Sequence, residues 1–520
     1  MSVRTERALL NRLARRQGIQ ISYTDVRGQR VLTPVDTLRA LLKALDIPAG
    51  TPEECVASLR AAEAAEAATD IDDVIVAWDG VMPDLCLGHG GALGDAAPEM
   101  HIVTEGGFTV PVTTHVLGTA RGIGGHAPWS LRYRLRPDVP LPTGYHTLNC
   151  TRAGRVTTSL LLCAPSRCYT GEESESRSWG LFAPLYALRS ATDFGAGSYT
   201  ELLEFARGTA RLGGQIIGTL PLLPCYCEPR QELSPYLPVS RLLWNEFYID
   251  CEHLPRAEWT ELAAQILRDK ALAAWHTALR GSHWVDYIGT MRLKESILRL
   301  LFESVSSSAA FRADLEAFCA THPHVAPYAV FRATRAALGK EWQDWPDELR
   351  GTTAAVGDYN QDGVGLFQFE QWLAHEQMDS CVGHAAANGV DLYLDLPIGV
   401  HPEGYDTWQF RDAFVHDVAT GAPPDIVFTT GQKWGSPPIH PTAIRKRHYD
   451  YVRAYLAHHM RAARMLRIDH VMGLHRMFCI PDGADAAQGT YLRYRPAEWY
   501  AMLNIESHRH QTVLVGEDLG

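Results

Sequence analysis

After Cys168 the chain alternates short apolar runs with long helical stretches, and this alternation constrains the fold more than any other feature. The apolar runs are Gly180–Pro184, Gln215–Leu220, Val390–Leu396, Met465–Ile468 and Thr512–Val515. Helical stretches between them include Ser198–Leu212, His440–Ala463 and Ala497–His510. Strands that alternate with helices are typical of βα units and a parallel sheet. The pattern predicts an α/β fold, a (β/α)8 TIM-type barrel with about five of its eight strands present.

The second and third predicted strands are separated by far more chain than one helix needs. The intervening segment, at about 225–388, contains clear helices such as Trp284–Glu303. We interpret it as a helical subdomain inserted into one loop of a catalytic barrel domain that spans residues 169–520.

Two smaller units precede this domain. Residues 1–70 form a predicted helical unit, in which Thr33 is an N-cap and Pro34 the first helical residue. The apolar face of that helix is Val35, Leu38, Leu41, Leu42 and Leu45. In residues 71–168 the period changes to two, as in Val74, Val76 and Trp78, which predicts an antiparallel β-sandwich-like domain.

Composition excludes several classes of protein. The net charge is −12 with no basic block, so nucleic acid is not an expected partner. No run of 18 apolar residues exists, which excludes a membrane-spanning helix. Met1 to Gln20 is charged, and eleven scattered cysteines indicate reduced thiols. We therefore expect a cytoplasmic protein.

The predicted strands end in acidic residues. Asp395 ends the third strand, Asp469 follows the fourth and Glu517 follows the fifth. The carboxyl ends of barrel strands converge on one mouth, where active sites lie. Paired carboxylates there suit glycosidic chemistry, in which one attacks the anomeric carbon and a protonated one donates to the leaving oxygen. The alternative is that each acid caps a helix or pairs with a base.

Longer motifs accompany these acids. They are Ser234-Pro-Tyr236, Gly421-Ala-Pro-Pro-Asp425, Gly431-Gln-Lys-Trp-Gly435, Leu466-Arg-Ile-Asp-His-Val-Met-Gly473 and Gly516-Glu-Asp-Leu-Gly520. On these motifs the chain resembles the 4-α-glucanotransferases (amylomaltases, or disproportionating enzymes) of the α-amylase-like superfamily. The resemblance covers nearly all 520 residues, including N-terminal domains found in the maltose-utilisation branch. It implies transfer of α-1,4-glucan segments between maltodextrins, without a cofactor or metal.

The resemblance also implies roles for individual residues. Asp469 matches the nucleophile that forms a covalent glucosyl intermediate, and Glu517 matches the general acid/base. Arg467 would hold the nucleophile ionised. Four further residues match sugar-binding positions: Asp395 and His470 around the sugar at the cut, Tyr236 beneath it, and Trp434 on the acceptor side.

One implied feature falls outside the sequence. The family has a third catalytic aspartate further along its chain, which would lie beyond Gly520. Five strands also do not close a barrel. We therefore expect this sequence to be part of a longer protein, and we expect the 520 residues alone to lack transferase activity.

Three other signals favour structural explanations. The segment Asp358–Gly363 begins like a calcium loop, but Phe369 stands where the final bidentate ligand belongs. Cys225 and Cys227 lack a matching second pair, so we expect packed thiols rather than zinc. Histidine pairs at 458–459 and 508–510 lie on helices that we expect at the surface.

Two other functions remain open. A hydrolase of α-1,4-glucans would use the same carboxylates and resolve the intermediate with water. A non-catalytic glucan-binding protein would keep the cleft and lose the reaction. The segment Gly431–Gly435 favours transfer, because Trp434 would be a platform for an acceptor sugar. Incubation with maltotriose separates a transferase from a hydrolase, since only the transferase makes longer sugars.

Overall fold

The computed structural model describes residues 3–68, 71–88, 98–121, 129–152, 154–171, 177–228, 233–351 and 361–518. The first of these ranges forms the N-terminal unit. Its elements are α1 Val3–Arg16, β1 Ser22–Thr24, β2 Arg30–Leu32, α2 Val35–Ala44 and α3 Pro52–Ala68. The predicted helix at Pro34 is confirmed, with Leu38, Leu41 and Leu42 buried, but Pro34 itself is the N-cap instead of Thr33.

A mixed sheet of seven strands follows. Its strands are β3 Val74–Trp78, β4 Leu85–Gly88, β5 Glu99–Val103, β6 Thr109–Arg121, β7 Trp129–Pro137, β8 Gly144–Arg152 and β9 Arg155–Ala164. They are hydrogen-bonded in the order β3-β9-β8-β5-β6-β7-β4, as one sheet rather than the two layers of the predicted sandwich. The pair β3–β9 is parallel, which the prediction of an antiparallel domain missed.

Strand β9 shows how this sheet joins the rest of the molecule. Leu161 and Cys163 face the sheet's own core. Leu160 and Leu162 face the large core that the sheet shares with the barrel domain. A strand buried on both faces reads as a continuous apolar run rather than as an alternation. Residues 160–164 are accordingly all buried.

The remaining residues form the barrel domain and its insertions. In chain order they are β10 Gly180–Phe182, α4 Tyr199–Arg211, β11 Ile216–Gly218, α5 Ala257–Ile266, α6 Lys270–Gly281, α7 Tyr287–Val305, α8 Ala309–Thr321, α9 Val325–Leu338, α10 Asp347–Arg350, α11 Gln361–Ala387, β12 Asp391–Leu396, α12 Tyr405–Gln409, β13 Val418–Ala422, β14 Gln432–Lys433, α13 Ala443–Lys446, α14 Asp450–Ala462, β15 Met465–Ile468, β16 Arg476–Pro481, β17 Thr490–Arg493, α15 Pro496–His510 and β18 Val513–Gly516.

All five predicted barrel strands are present. They form one sheet in the order β10-β11-β12-β15-β18, and every neighbouring pair is parallel. Sequential parallel strands with intervening helices are the arrangement of a TIM-type barrel, so the predicted fold class is confirmed. The sequence pattern succeeds here because each strand is a short apolar run bounded by helix signals. Helix α4 illustrates these signals, since Ser198 and Glu201 form a capping box at its start.

The chain between β11 and β12 is largely helical. Helices α5 to α11 pack around aromatic side chains, among them Trp259, Phe311, Phe369 and Trp372. The longest of these helices, α11, has 27 residues and runs back to the start of β12. Residues 358–360 of the calcium-like segment Asp358–Gly363 lie outside the described residues.

A second, small sheet was not predicted. Its order is β14-β13-β16-β17, and all its pairs are antiparallel. The strands come from the loops that follow β12 and β15. The N-terminal helices cover this sheet, since Leu13 and Leu38 share a core with Val418 and Met477. It therefore links the N-terminal unit to the mouth of the barrel.

The predicted helix His440–Ala463 is two helices, α13 and α14. His448 and Tyr449 between them both have left-handed backbone angles, with φ of 52° and 55°. Such angles interrupt an α-helix of L-residues. Among the described residues, no helix is both long enough and apolar enough to cross a membrane.

Candidate active site

The acidic residues at the strand ends lie on one edge of the parallel sheet. Asp395 pairs with Arg467 in the register of β12 and β15. Ile468 pairs with Gly516 in the register of β15 and β18, so Asp469 and Glu517 follow directly at neighbouring strand ends. Parallel strands with matched register bring these residues together. The predicted convergence of the three acids on one mouth is therefore present.

Arg467 connects two of the three carboxylates. Its Nη1 donates to Asp395 Oδ1 at 2.7 Å, and its Nη2 lies 2.9 Å from Asp469 Oδ1. The Asp469 contact follows from strand geometry, because residues two apart share one face. Burial lowers the pKa of Arg467, but the hydrogen bond and charge of Asp395 outweigh it and hold this pKa above its usual range. The guanidinium is thus a fixed positive charge between the two acids.

Asp395 is the most buried of the three acids, with 5% of its surface exposed. Tyr236 donates its hydroxyl to Asp395 Oδ2 at 2.7 Å, so both carboxylate oxygens have a partner. Burial raises the pKa of Asp395 above its usual value, although the bonds from Tyr236 and Arg467 act against this. Asp395 is not among the described residues that line the cleft. It binds Arg467 and Tyr236, which both line the cleft, and its place around the sugar at the cut stays a prediction.

Hydrogen bonds join Glu517 to the loop after β15. Its Oε2 accepts a hydrogen bond of 3.0 Å from the backbone N–H of His470. The backbone adds two more bonds, from Glu517 N–H to Ile468 O and from Val471 N–H to Glu517 O, each 3.0 Å. His470 adopts a left-handed conformation, with φ of 44°, which turns its N–H toward the carboxylate. The segments that carry Asp469 and Glu517 therefore hold each other in place.

Trp434 approaches the same site from the small sheet. Its indole lies edge-on to the His470 ring, with centroids 5.1 Å apart. Burial lowers the pKa of His470 below its usual value, which keeps the imidazole neutral near pH 7. A neutral ring against an indole presents an apolar surface with one polar edge.

These side chains line one cleft of about 740 Å³. Tyr236, Trp434, Arg467, Asp469, His470 and Glu517 all contribute to its wall. The expectation that the two aromatics share a cleft with the acids is met, although Tyr236 lies 159 residues from Asp395 along the chain. A cleft of this size accommodates a ligand of several rings.

Sequence reasoning missed part of the wall. Arg476 and Tyr491 line it from β16 and β17, Phe428 lines it from the loop between β13 and β14, and Val26 lines it from the N-terminal hairpin. Phe428 falls between two of the quoted motifs, so a signal existed for it. Nothing in the local sequence marks Val26 or Tyr491, because only the packing of the small sheet brings them to the cleft.

The signals that were set aside have mixed outcomes. None of the eleven cysteines forms a disulfide, and burial raises the pKa of Cys227 to about 12, as suits a packed thiol. The expectation that His458 and His459 lie at the surface is wrong. His459 is 1% exposed, and the centroids of the His458 and Trp244 rings lie 4.2 Å apart. Burial lowers the pKa of His459 to about 4, so it is a neutral core residue.

Comparison with known proteins supports one family. A family model described as 4-alpha-glucanotransferase matches residues 183–520. The 4-alpha-glucanotransferase of Mycobacterium tuberculosis is 31% identical, over 98% of this chain and 71% of that protein. That of Haemophilus influenzae is 30% identical, over 73% of this chain and 58% of that protein.

Solved structures agree with this result. The crystal structure of amylomaltase from Corynebacterium glutamicum matches with a TM-score of 0.84 and 27% identity, over 99% of this chain and 72% of that one. Amylomaltase from Streptococcus agalactiae, in complex with acarbose, shares the fold with a TM-score of 0.56 and 20% identity. The chain therefore belongs to the 4-alpha-glucanotransferase family and is an enzyme of the transferase class.

Proposed function

We propose that this enzyme transfers α-1,4-glucan segments between maltodextrins with retention of configuration, and that Asp469 and Glu517 are its catalytic residues. One observation carries the proposal: the two carboxylates follow neighbouring barrel strands and line one cleft, with Arg467 bound to Asp469. Retaining enzymes require one carboxylate as nucleophile and one as acid/base, placed on either side of the scissile bond.

The first half of the reaction breaks the donor. Asp469 attacks the anomeric carbon, and the bond from that carbon to the leaving oxygen breaks as Glu517 delivers its proton to this oxygen. The products are a shortened glucan and a glucosyl ester on Asp469. Arg467 supports this step because its guanidinium, 2.9 Å from Asp469 Oδ1, holds the attacking carboxylate in place.

The second half uses an acceptor sugar. The 4-hydroxyl of the acceptor loses its proton to Glu517 as its oxygen attacks the anomeric carbon, and the ester bond to Asp469 breaks. The new α-1,4 bond replaces the old one, and both carboxylates return to their starting states. The chemistry needs no cofactor, because protons and electron pairs balance within the two residues and the two sugars.

Residues around the pair orient the reaction. Asp395 binds Arg467 and Tyr236 at once, so it positions both of them around the sugar at the cut. Tyr236 and Trp434 offer ring faces to the sugars on the two sides of the cut. Occupation of the Trp434 side by an acceptor excludes water, which favours transfer over hydrolysis.

The substrates and the location follow from the same chemistry. A cleft whose wall combines aromatic rings with polar side chains that bind hydroxyl groups suits maltodextrins. Eleven cysteines without a disulfide support a reducing compartment, which we propose is the cytoplasm.

Product analysis with maltotriose tests the function. The protein is expressed from its complete reading frame and incubated with maltotriose alone. Transfer yields maltotetraose and longer sugars together with glucose, with no net gain of reducing ends. Net production of reducing ends without longer sugars would replace this proposal with a glucan hydrolase. Binding of maltotriose without any product would instead support a non-catalytic glucan-binding protein.

A further inference from the structure

The N-terminal β-hairpin reaches the catalytic cleft from a distant part of the sequence. Strands β1 and β2 pair in the register Ser22–Leu32 to Thr24–Arg30. Val26, in the turn between them, lines the cleft and is 59% exposed. Val26 therefore offers apolar surface to a ligand in this cleft.

The turn itself is built to a fixed shape. The Asp25 carboxylate accepts hydrogen bonds from the backbone N–H groups of Arg27 and Gln29, at 2.9 and 2.8 Å. The backbone of Asp25 also bonds to Gln29 and Gly28, and Gly28 has a φ of 76° that favours glycine. The position of Val26 is therefore set by the turn.

The hairpin is anchored on the small sheet that carries Trp434. Tyr23 packs edge-on to Phe478 and Tyr491, with ring centroids 5.8 and 5.5 Å away. The flanking chain bonds to β17 through Gln20 N–H to Tyr491 O at 2.8 Å and Thr33 Oγ1 to Thr490 Oγ1 at 2.8 Å. The hairpin therefore lies next to β17, although its two strands form a separate sheet.

Cleft residues follow one another across the small sheet and the hairpin beside it. Trp434 lies beside β14, Arg476 on β16, Tyr491 on β17 and Val26 on the hairpin. Strands β14 and β17 are three strand spacings apart, which is roughly 14 Å. The distance exceeds one sugar ring, so the wall continues well past the acceptor position next to the scissile bond.

The chemistry of this wall matches a glucan chain. The Arg476 guanidinium lies over the Tyr491 ring, with Cζ 4.3 Å from its centroid, and supplies donors for sugar hydroxyls. Val26 and the Tyr491 ring supply apolar contact for the C–H faces of sugar rings. Alternating apolar faces and hydroxyl edges are the chemical signature of an α-1,4-glucan.

We propose that the hairpin tip, through Val26 together with Tyr491 and Arg476, forms a remote binding site for long acceptor glucans and sets the chain length that the enzyme prefers. This proposal rests on the proposed transfer function. It assigns to the N-terminal unit a part in substrate selection, in addition to covering the small sheet.

Binding to an inactive variant tests the site without turnover. In an Asp469→Asn background, calorimetry measures Kd for maltotriose and for maltoheptaose, with and without Val26→Ser. We expect Val26→Ser to raise the Kd ratio of maltoheptaose to maltotriose about 3- to 10-fold, since an apolar contact is lost only for the long sugar. Val26→Trp enlarges the apolar surface and should lower that ratio.

Val156→Ser is the matched control, because Val156 is also 59% exposed but lies on β9, away from the cleft. It should leave the ratio unchanged. An equal effect of Val26→Ser on both sugars, or no effect on either, overturns the hairpin site while leaving the transferase proposal intact. A parent variant that binds neither sugar overturns both proposals.

Discussion

The two walls of the cleft differ in chemistry and in origin. The edge of the parallel sheet carries charged groups that are tied to one another: Arg467 binds Asp395 and Asp469, and Glu517 accepts from the His470 backbone. The small sheet opposite presents Trp434, Tyr491 and Val26, which contribute ring faces and an exposed apolar side chain. The first wall holds charged groups in fixed positions, and the second offers a large surface for contact with a ligand.

This difference reflects what each task demands. Bond breaking requires reacting groups held within a fraction of an ångström, which ion pairs and short strand ends provide. Sugar binding gains from surface complementarity and tolerates small displacements. Changes to the charged edge should therefore reduce the rate for every substrate. Changes to the small sheet should act on binding and depend on glucan length.

The largest effect is expected for Asp469→Asn. The amide cannot form the glucosyl ester, so transfer from maltotriose should fall by roughly 10⁴-fold or more. Binding of maltoheptaose, measured by calorimetry, should stay within about 3-fold of the parent because the small sheet is untouched. Asp347→Asn, on an exposed side chain, is the control and should retain full activity. Residual transfer near the parent rate would remove Asp469 from the mechanism.

Glu517→Gln should have the next largest effect, and one that depends on the leaving group. Loss of general acid catalysis should slow maltotriose cleavage by roughly 10²- to 10⁴-fold. An α-glucosyl fluoride needs little protonation, so its first step should be slowed far less. The measurement is the ratio of initial rates on the two substrates, parent against variant. Equal losses on both substrates would assign the acid role to another residue.

An arginine-to-lysine change on each wall compares the two directly. Arg467→Lys keeps the charge but loses the planar guanidinium group, whose two Nη atoms contact two different carboxylates. Loss of one charge-assisted hydrogen bond, worth about 1.5–3 kcal/mol, predicts a fall in kcat of roughly 10- to 150-fold. Arg476→Lys, on the small sheet, should act mainly on KM for long maltodextrins. Similar effects on kcat at both positions would contradict the division between the walls.

The smallest effect is expected for Trp434→Leu. A leucine keeps apolar contact but loses the aromatic face, which is worth about 0.5–1.5 kcal/mol. We expect KM for the acceptor to rise about 2- to 12-fold, with a larger share of hydrolysis because water enters more often. Trp434→Phe should lie between parent and leucine. Acceptor KM and the ratio of reducing ends to transfer products provide the measurement.

Local sequence patterns correctly predicted the strands that carry the charged edge. Strands β15 and β18 were predicted nearly to the residue, and with them the placement of Asp469 and Glu517 at neighbouring strand ends. The prediction works because strand periodicity and strand ends are local properties, readable over a few residues. The motifs added Tyr236 and Trp434, whose position in the cleft no local pattern indicates.

The opposite wall lay beyond local reasoning. The small sheet is assembled from loops after two barrel strands, and the N-terminal hairpin joins it from more than 400 residues away, as the Thr33–Thr490 hydrogen bond shows. His459 and Asp395 are further examples. His459 is buried because Trp244 and the neighbouring chain cover α14, and Asp395 is buried where it bonds to Arg467 and Tyr236.

The sequence by itself determined the barrel strands and the acidic residues that follow them, since an apolar run and the residue at its end are fixed by nearest neighbours in the chain. Only the tertiary structure decided which distant segments face those acids, which side chains bind them and which residues line the cleft. Contacts between remote segments depend on packing of whole elements, and a pattern with a period of two or 3.6 residues does not encode them.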